Sequence, residues 1–250
     1  MSLWSEIQKV PPVTKFLCGS SLAITVPVLL ESVAPYIYLF TRSLVTEKFE
    51  VWRVFTTFFI GPFGIGYIFH FAMLYQYSSE VEKSYYRERS ADYAWQLLQV
   101  CISILIINLP LQSMAHHRPM LIALVYLTSR LAPPDAQTSL FGLVTIPVFY
   151  MPYVFIAIDL LGDGRAGAAK AISGAIIGHL WWWGVWESRI IERFGAAPAW
   201  LKKLLGQNSG PSAHGAWKRG GVEGVPPRQV REEGRPGEHS WGSGSRLGGS

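Results

Sequence analysis

Long stretches without a charged residue constrain the fold of this chain more than any other feature. Only 16% of its 250 residues are charged and 50% are hydrophobic, whereas about 25% of a soluble domain is charged. A charged side chain costs free energy inside a bilayer, so this pattern predicts a helical membrane protein. The uncharged stretches are Val54–Phe63, Trp95–Leu111, Leu121–Leu127, Leu140–Ile158 and Ala171–Trp186.

Six segments are apolar enough to be predicted as transmembrane helices, which makes the expected fold all-α. A spanning helix needs about 20 mostly apolar residues. The fourth segment has about 12 and rises only about 18 Å as a helix. Either the bilayer is thinned beside it or the helix has other bounds. The six segments are Phe16–Leu30, Gly61–Tyr77, Trp95–Met114, Met120–Leu131, Leu140–Leu161 and Ala166–Trp186.

The distribution of basic residues predicts the orientation of the six segments. An even number of passes puts both termini on the same side of the membrane. Of the 22 Lys and Arg residues, 16 fall on that side and 6 on the other. Because cytosolic loops carry the excess of Lys and Arg, both termini are predicted to be cytosolic.

Several other classes of protein are disfavoured. No cleavable signal peptide is expected, because residues 1–15 are polar and the first apolar run is followed by Glu31 and Pro35. The two cysteines, Cys18 and Cys101, lie in apolar runs, so we expect neither a disulfide framework nor a metal site. No cofactor is predicted. The net charge of +5 lies mainly at helix flanks and after residue 188, so nucleic-acid binding is not predicted.

The composition changes near residue 206. We predict a membrane domain over residues 1–205 and a disordered cytosolic tail over residues 206–250, because Gly, Pro, Ser and charged residues cannot bury enough surface to order a chain. Near the end of the tail, Trp241 and Leu247 are isolated apolar residues. Such a pair in a disordered segment is typical of a short recognition motif.

An intramembrane serine protease would need a serine and a base within hydrogen-bond reach. Ser173 and His179 are six residues apart on one predicted helix, a rotation of about 600°, so they point in different directions. Ser129 lies at the end of the fourth segment without a neighbouring glycine. We therefore predict no catalytic residues.

Two further patterns lie in the sixth segment. Gly174 and Gly178 form a G-x-x-x-G motif, which lets a second helix approach closely; packing within the chain and dimerisation are both compatible with it. His179 follows, and a histidine in a membrane helix is either functional or bonded to a neighbouring helix.

Three more features each lead to an expectation. The guanidinium of Arg53 could fold back onto backbone carbonyls while the indole of Trp52 sits at the membrane interface. The cluster around Trp181 is typical of an interfacial aromatic belt. Asp159 could pair with a cation or reach water at a helix end.

Several short stretches follow one another in a specific order and spacing across about the first 190 residues: Pro11–Lys15, Val51–Arg53, Thr56–Gly64, Tyr75–Ser78, Ala91–Tyr93 and Gly178–His179 with the aromatics after it. Their order and spacing resemble the derlin family, the rhomboid-related pseudoproteases of endoplasmic reticulum quality control. Trp181 stands where the family usually has a tyrosine or phenylalanine.

The resemblance implies a six-helix rhomboid-like fold without proteolytic activity, in the endoplasmic reticulum membrane. It implies a role in moving misfolded proteins to the cytosol, a family W-R motif at Trp52 and Arg53, and the G-x-x-x-G at Gly174 and Gly178. It also implies that short helices thin the bilayer. The partners it implies are misfolded protein substrates, membrane lipid and a ubiquitin ligase complex of the same membrane; a homo- or hetero-oligomer is compatible with it.

The end of the tail resembles an SHP box, a peptide by which some derlins recruit the valosin-containing AAA ATPase. Its residues here are Trp241, Gly242, Gly244, Arg246, Leu247 and Gly248. The chain has no phosphate-binding glycine loop of its own, so energy would come from that partner.

Two alternatives come from other classes. The first is an active rhomboid-type protease using Ser129 or Ser173. The second is a channel or transporter, which would place paired ionisable residues near the centres of several helices; apart from His179 the segment centres lack them.

Overall fold

A computed structural model describes residues 8–87, 89–140, 144–188 and 192–207. The described chain is mainly helical. Its helices are α1 (Pro12–Leu29), α2 (Arg42–Glu47), α3 (Trp52–Thr56), α4 (Ile65–Glu80), α5 (Ser90–Asn108), α6 (His117–Leu131), α7 (Met151–Trp182), α8 (Glu192–Gly195) and α9 (Ala199–Leu204). One hairpin pairs β1 (Gln137–Leu140) with β2 (Val144–Pro147). Short 3-10 turns lie at Pro35–Ile37 and Val148–Tyr150, and π-helical turns extend α4 (Val81–Tyr85) and α7 (Trp183–Glu187).

Helices α1 and α4 run in opposite directions, as hydrogen bonds at both of their ends show. At one end of the bundle, the start of α1 meets the end of α4 through Thr14 and Ser78, whose hydroxyl oxygens are 2.9 Å apart. At the other end, Thr25 near the end of α1 donates to the carbonyl of Phe59, just before α4. The loop between α1 and α4 therefore returns the chain alongside α1.

Helix α6 is the centre of the bundle. Twelve of its 15 residues are buried, and they lie on every side of the helix. It begins at His117, three residues before the predicted start, and rises about 22 Å. The prediction of bounds was therefore too narrow. Because protein surrounds this helix, its length does not have to match the hydrocarbon thickness.

The fifth predicted segment, Leu140–Leu161, was wrong at residue 140 and over residues 144–150. Residues 144–147 form strand β2 and residues 148–150 a 3-10 turn, so the helix starts only at Met151. Val144, Thr145 and Ile146 are β-branched and pair across the hairpin with β1. A short apolar run of this kind is compatible with a strand or a helix, and pairing with β1 decides between them.

Other predicted bounds shift by smaller amounts. The third segment, predicted as Trp95–Met114, forms α5. This helix begins earlier, at Ser90, and ends earlier, at Asn108. Of the described helices, α1 and α5 are long and apolar enough to cross a membrane by length and composition alone. The crossing of the membrane by all six segments stays a prediction.

The fifth and sixth predicted segments are separated by residues 162–165, and the structure kinks within this separator. Gly164 has φ 65° and ψ −152° inside the otherwise helical α7. Such a conformation is open essentially only to glycine. It divides α7 into a first half (residues 151–163) and a second half (residues 165–182).

Gly164→Ala should lower the free energy of unfolding by about 1–3 kcal/mol. An added Cβ would meet nothing within 4 Å, so the loss comes from backbone strain alone. Gly162→Ala is the matched control, since its Cβ also meets nothing and its φ is not positive. Thermal unfolding in detergent compares the two; equal midpoints would contradict a conformational role for Gly164.

Candidate functional site

The loop between α1 and α4 is held by one buried arginine. Arg53 is 4% exposed, while the adjacent Trp52 is 52% exposed. The Nε of Arg53 donates to the Glu50 carboxylate. Its Nη1 donates to the carbonyls of Tyr36 and Leu39, the latter at 2.9 Å. The structure confirms that the guanidinium folds onto carbonyls. Arg53 thus fixes the loop, and Trp52 is left projecting from it.

A buried histidine ties the same loop to the start of α6. The His116 backbone N–H donates to the Thr57 carbonyl at 2.9 Å, and its Nδ1 lies 2.9 Å from the Thr57 hydroxyl. The ring packs against Phe40 and Phe58. Burial, with a smaller effect of Lys170, lowers the pKa of His116 to about 4. The imidazole is therefore neutral at physiological pH and serves as a packing and hydrogen-bonding group.

At the opposite end of the bundle, three pieces of sequence that carry the family resemblance converge on a buried carboxylate. Glu82 is 2% exposed and accepts from the backbone N–H groups of Val13 and Thr14 at 3.1 and 2.8 Å. The Ser78 hydroxyl joins Thr14 to Tyr93, at 2.9 and 3.0 Å. A carboxylate at a helix N-terminus accepts hydrogen bonds from the N–H groups that lack partners within the helix, and its negative charge interacts favourably with the helix dipole. Sequence reasoning missed this role of Glu82, because its partners are about 70 residues away.

The two glycines of the G-x-x-x-G motif face α6 of the same chain. A Cβ on Gly174 would lie 2.4 Å from the carbonyl oxygen of Pro119, and one on Gly178 would lie 2.9 Å from that of Ala123. The motif is therefore used for packing within the chain, which was one of its two readings.

His179 bonds to a neighbouring helix. Its Nδ1 is 2.9 Å from the Tyr126 hydroxyl, which also accepts from Arg130 Nε at 3.0 Å. The Arg130 guanidinium lies over the rings of Phe149 and Trp182, at 4.9 and 5.3 Å. These contacts fasten the ends of α6 and α7 to the turn after the hairpin.

Trp181, which departs from the usual family residue, has a specific partner. Its indole N–H donates to Gln96 Oε1 at 2.9 Å, and Gln96 Nε2 donates to the Gly195 carbonyl at 3.0 Å. A phenylalanine at this position would lack the indole donor. Trp181 is 5% exposed and so belongs to the core rather than to an interfacial belt.

The two candidate nucleophiles are bonded to groups other than histidine. The Ser173 hydroxyl donates to Asn108 Oδ1 at 3.1 Å or to the Lys170 carbonyl at 2.7 Å. The Ser129 hydroxyl donates to the Tyr126 carbonyl at 2.7 Å. Within the described ranges, neither serine is hydrogen-bonded to a histidine, so a catalytic dyad is not assembled at either one.

A cavity of about 340 Å³ opens between α4 and the first half of α7. Asp159 lies in its wall. Both oxygens of its carboxylate accept from Arg118 Nε, at 2.8 and 2.9 Å. Of the two readings of Asp159, pairing with a cation is therefore the observed one. His70 and His117 line the same cavity.

The SHP-like residues, Trp241 to Gly248, lie outside the described residues. Among the residues that the structure describes, no group of three or more His, Cys, Asp or Glu side chains is placed to hold a metal ion.

Gly174→Ala should destabilise the bundle strongly, by about 1–3 kcal/mol or more, because the opposing atom is backbone and cannot rotate away. Gly19→Ala in α1 is the control, since its Cβ would meet nothing within 4 Å. Thermal unfolding in detergent, followed by tryptophan fluorescence, measures both. A Gly174→Ala protein as stable as the Gly19→Ala protein would rule out the close approach of α7 to α6.

Comparison with known proteins yields a consistent set of matches. A family model described as the Der1-like family matches residues 10–187. A Zea mays protein named Derlin-1.2 is 30% identical over 212 residues, which covers 82% of this chain and 86% of the relative. A Mus musculus protein named Derlin-1 is 27% identical over 254 residues, and a Homo sapiens protein of the same name is 27% identical over 255 residues. Each match covers 96% of this chain and 96% of the relative.

Proposed function

This chain belongs to the Der1-like family, and from that premise we propose that it is a non-enzymatic factor in endoplasmic-reticulum-associated degradation. It sits in the endoplasmic reticulum membrane with both termini in the cytosol and assists the retrotranslocation of misfolded proteins. The match of the family model over residues 10–187 is the observation that carries this proposal.

The hydrogen bonding of the two serines supports a role without catalysis. Ser173 is engaged by Asn108 and Ser129 by a carbonyl of its own helix. An acyl-transfer nucleophile needs an adjacent base to take its proton. The bonds of these serines instead join α5 to α7 and close the last turn of α6.

The substrate path lies between α4 and the first half of α7. The cavity there is bounded by Pro62 and Gly66 at the end of the loop that Arg53 holds. Phe69 and Ile158, at 45% and 39% exposed, flank its opening. The proposed thinning of the bilayer lipid around this path rests on the family resemblance and not on the length of α6, which protein surrounds.

Recruitment of the valosin-containing AAA ATPase is assigned to the tail motif at Trp241, Gly242, Gly244, Arg246, Leu247 and Gly248. Two apolar anchors separated by glycines suit an extended peptide that adds to a groove or strand edge. The membrane domain then works with a ubiquitin ligase complex of the same membrane, as a monomer or as part of an oligomer.

The tail is tested by binding in detergent. The full chain should capture purified valosin-containing ATPase in a pull-down, and the Trp241→Ala plus Leu247→Ala variant should lose about tenfold or more in affinity, because both apolar anchors are removed. Ser243→Ala plus Ser245→Ala is the matched control within the same segment and should bind normally. Equal capture by all three proteins would exclude this motif as the recruitment site.

The Arg53 loop is tested separately. Arg53→Ala leaves the carbonyls of Tyr36 and Leu39 without their charged donor, a loss of about 1.5–3 kcal/mol per bond. We expect faster amide hydrogen exchange over residues 35–41 and slower extraction of a misfolded substrate in cells. Arg42→Ala removes an exposed cation from the same loop and should change neither. Unchanged exchange in Arg53→Ala would contradict the anchoring role.

A further inference from the structure

The cavity between α4 and the first half of α7 contains polar groups that the fold does not use. Its outer wall is apolar and includes Phe69, Met73 and Ile158. Its inner wall holds two imidazoles, of His70 and His117. A volume of about 340 Å³ is at the lower end of the range for small-ligand sites and holds one or two side chains.

The two imidazoles pack against each other, and each has a buried ring nitrogen without a hydrogen-bond partner in the described part of the chain. Their ring centroids are 4.9 Å apart, edge to face. His70 is 4% exposed, and the nitrogen concerned is Nδ1 in both rings. A buried polar atom without a partner is unfavourable. These atoms are enclosed in the closed bundle, so an entering segment reaches them only by displacing the surrounding side chains. A segment that then hydrogen-bonds to them gains free energy that an apolar segment does not.

The charges around the cavity are balanced. Arg118 is paired with Asp159, while Lys170 and Asp163 add one charge of each sign to the lining. A ligand with a net charge would meet an attractive and a repulsive group together. A neutral imidazole offers Nδ1 as donor or acceptor, depending on its tautomer. The lining thus suits a neutral group that both donates and accepts, such as a carboxamide or a hydroxyl.

We propose that this cavity binds neutral polar side chains, carboxamides and hydroxyls, of a membrane-inserted substrate segment as that segment enters between α4 and α7. The proposal rests on the proposed function, since it names the class of substrate that the path takes. A polar side chain on an apolar segment has no water to bond with in the hydrocarbon region. Transfer to His70 and His117 supplies the missing partners.

A phospholipid headgroup is the competing occupant. A headgroup is already hydrated at the membrane surface, so transfer into the cavity would exchange water bonds for imidazole bonds at little gain. A polar side chain in hydrocarbon starts without such bonds and gains more. The observations therefore favour the polypeptide.

The test uses the full chain in cells whose own derlins have been removed, with two misfolded single-span reporters. One reporter carries asparagine at the middle of its span and the other leucine. The double variant His70→Phe plus His117→Phe keeps two aromatic rings and removes the nitrogens. It should slow extraction of the asparagine reporter about fivefold and leave the leucine reporter unchanged.

Tyr75→Phe is the matched control, because it removes a half-exposed polar group from α4 outside the cavity. If the double variant fails to fold by thermal unfolding in detergent, the single variant His70→Phe and the polar variant His70→Asn replace it. The asparagine reporter should then be slowed by His70→Phe and restored by His70→Asn.

Direct contact is measured with a photoreactive benzophenone amino acid in place of Phe69. Crosslinks to the asparagine reporter should exceed those to the leucine reporter several-fold. Crosslinks mainly to phospholipid, or equal slowing of both reporters by the double variant, would overturn the inference while leaving the proposed function intact. If the unmodified chain extracts neither reporter but extracts a lumenal substrate, the inference also fails. If it extracts no substrate of any kind, the proposed function itself fails.

Discussion

The close contact between α6 and the second half of α7 is the interaction on which the rest of the bundle depends. Without side chains at Gly174 and Gly178, the two backbones approach until an added Cβ would overlap Pro119 and Ala123. In a bilayer, lipid offers no hydrophobic drive for helices to associate, so such packing supplies much of the attraction. The depth of this contact brings Tyr126 within 2.9 Å of His179.

Two polar systems then close the two ends of the bundle. At one end, Arg53 holds the carbonyls of the long loop. At the other, Glu82 caps the start of α1. Both groups are nearly fully buried, and each provides partners for two backbone groups in a low-dielectric surrounding. The two ends are thus held by buried polar contacts, whereas the cavity between α4 and α7 is bordered by half-exposed apolar side chains.

The sequence predicted the helical membrane fold, the break at Gly164 and the two readings of the G-x-x-x-G motif, because each depends on local pattern. Arg53 could also be read correctly, since its place between a polar loop and an apolar run limits its partners. The hairpin around Thr145 was missed, because β-branched apolar residues fit a strand or a helix until a pairing partner is known. His70 and His117 were not recognised as a pair, since they are 47 positions apart and no local signal joins them.

The segment after α7 determines how the tail is attached. The Asp92 carboxylate accepts from the Ala197 N–H at 2.7 Å, and the side chains of Trp95 and Gln99 both donate to the Phe194 carbonyl, at 2.8 and 2.7 Å. These bonds fix residues 192–207 to the start of α5. Gln96 of α5 donates to the Gly195 carbonyl and accepts from Trp181 of α7, so this segment is linked to α7 as well.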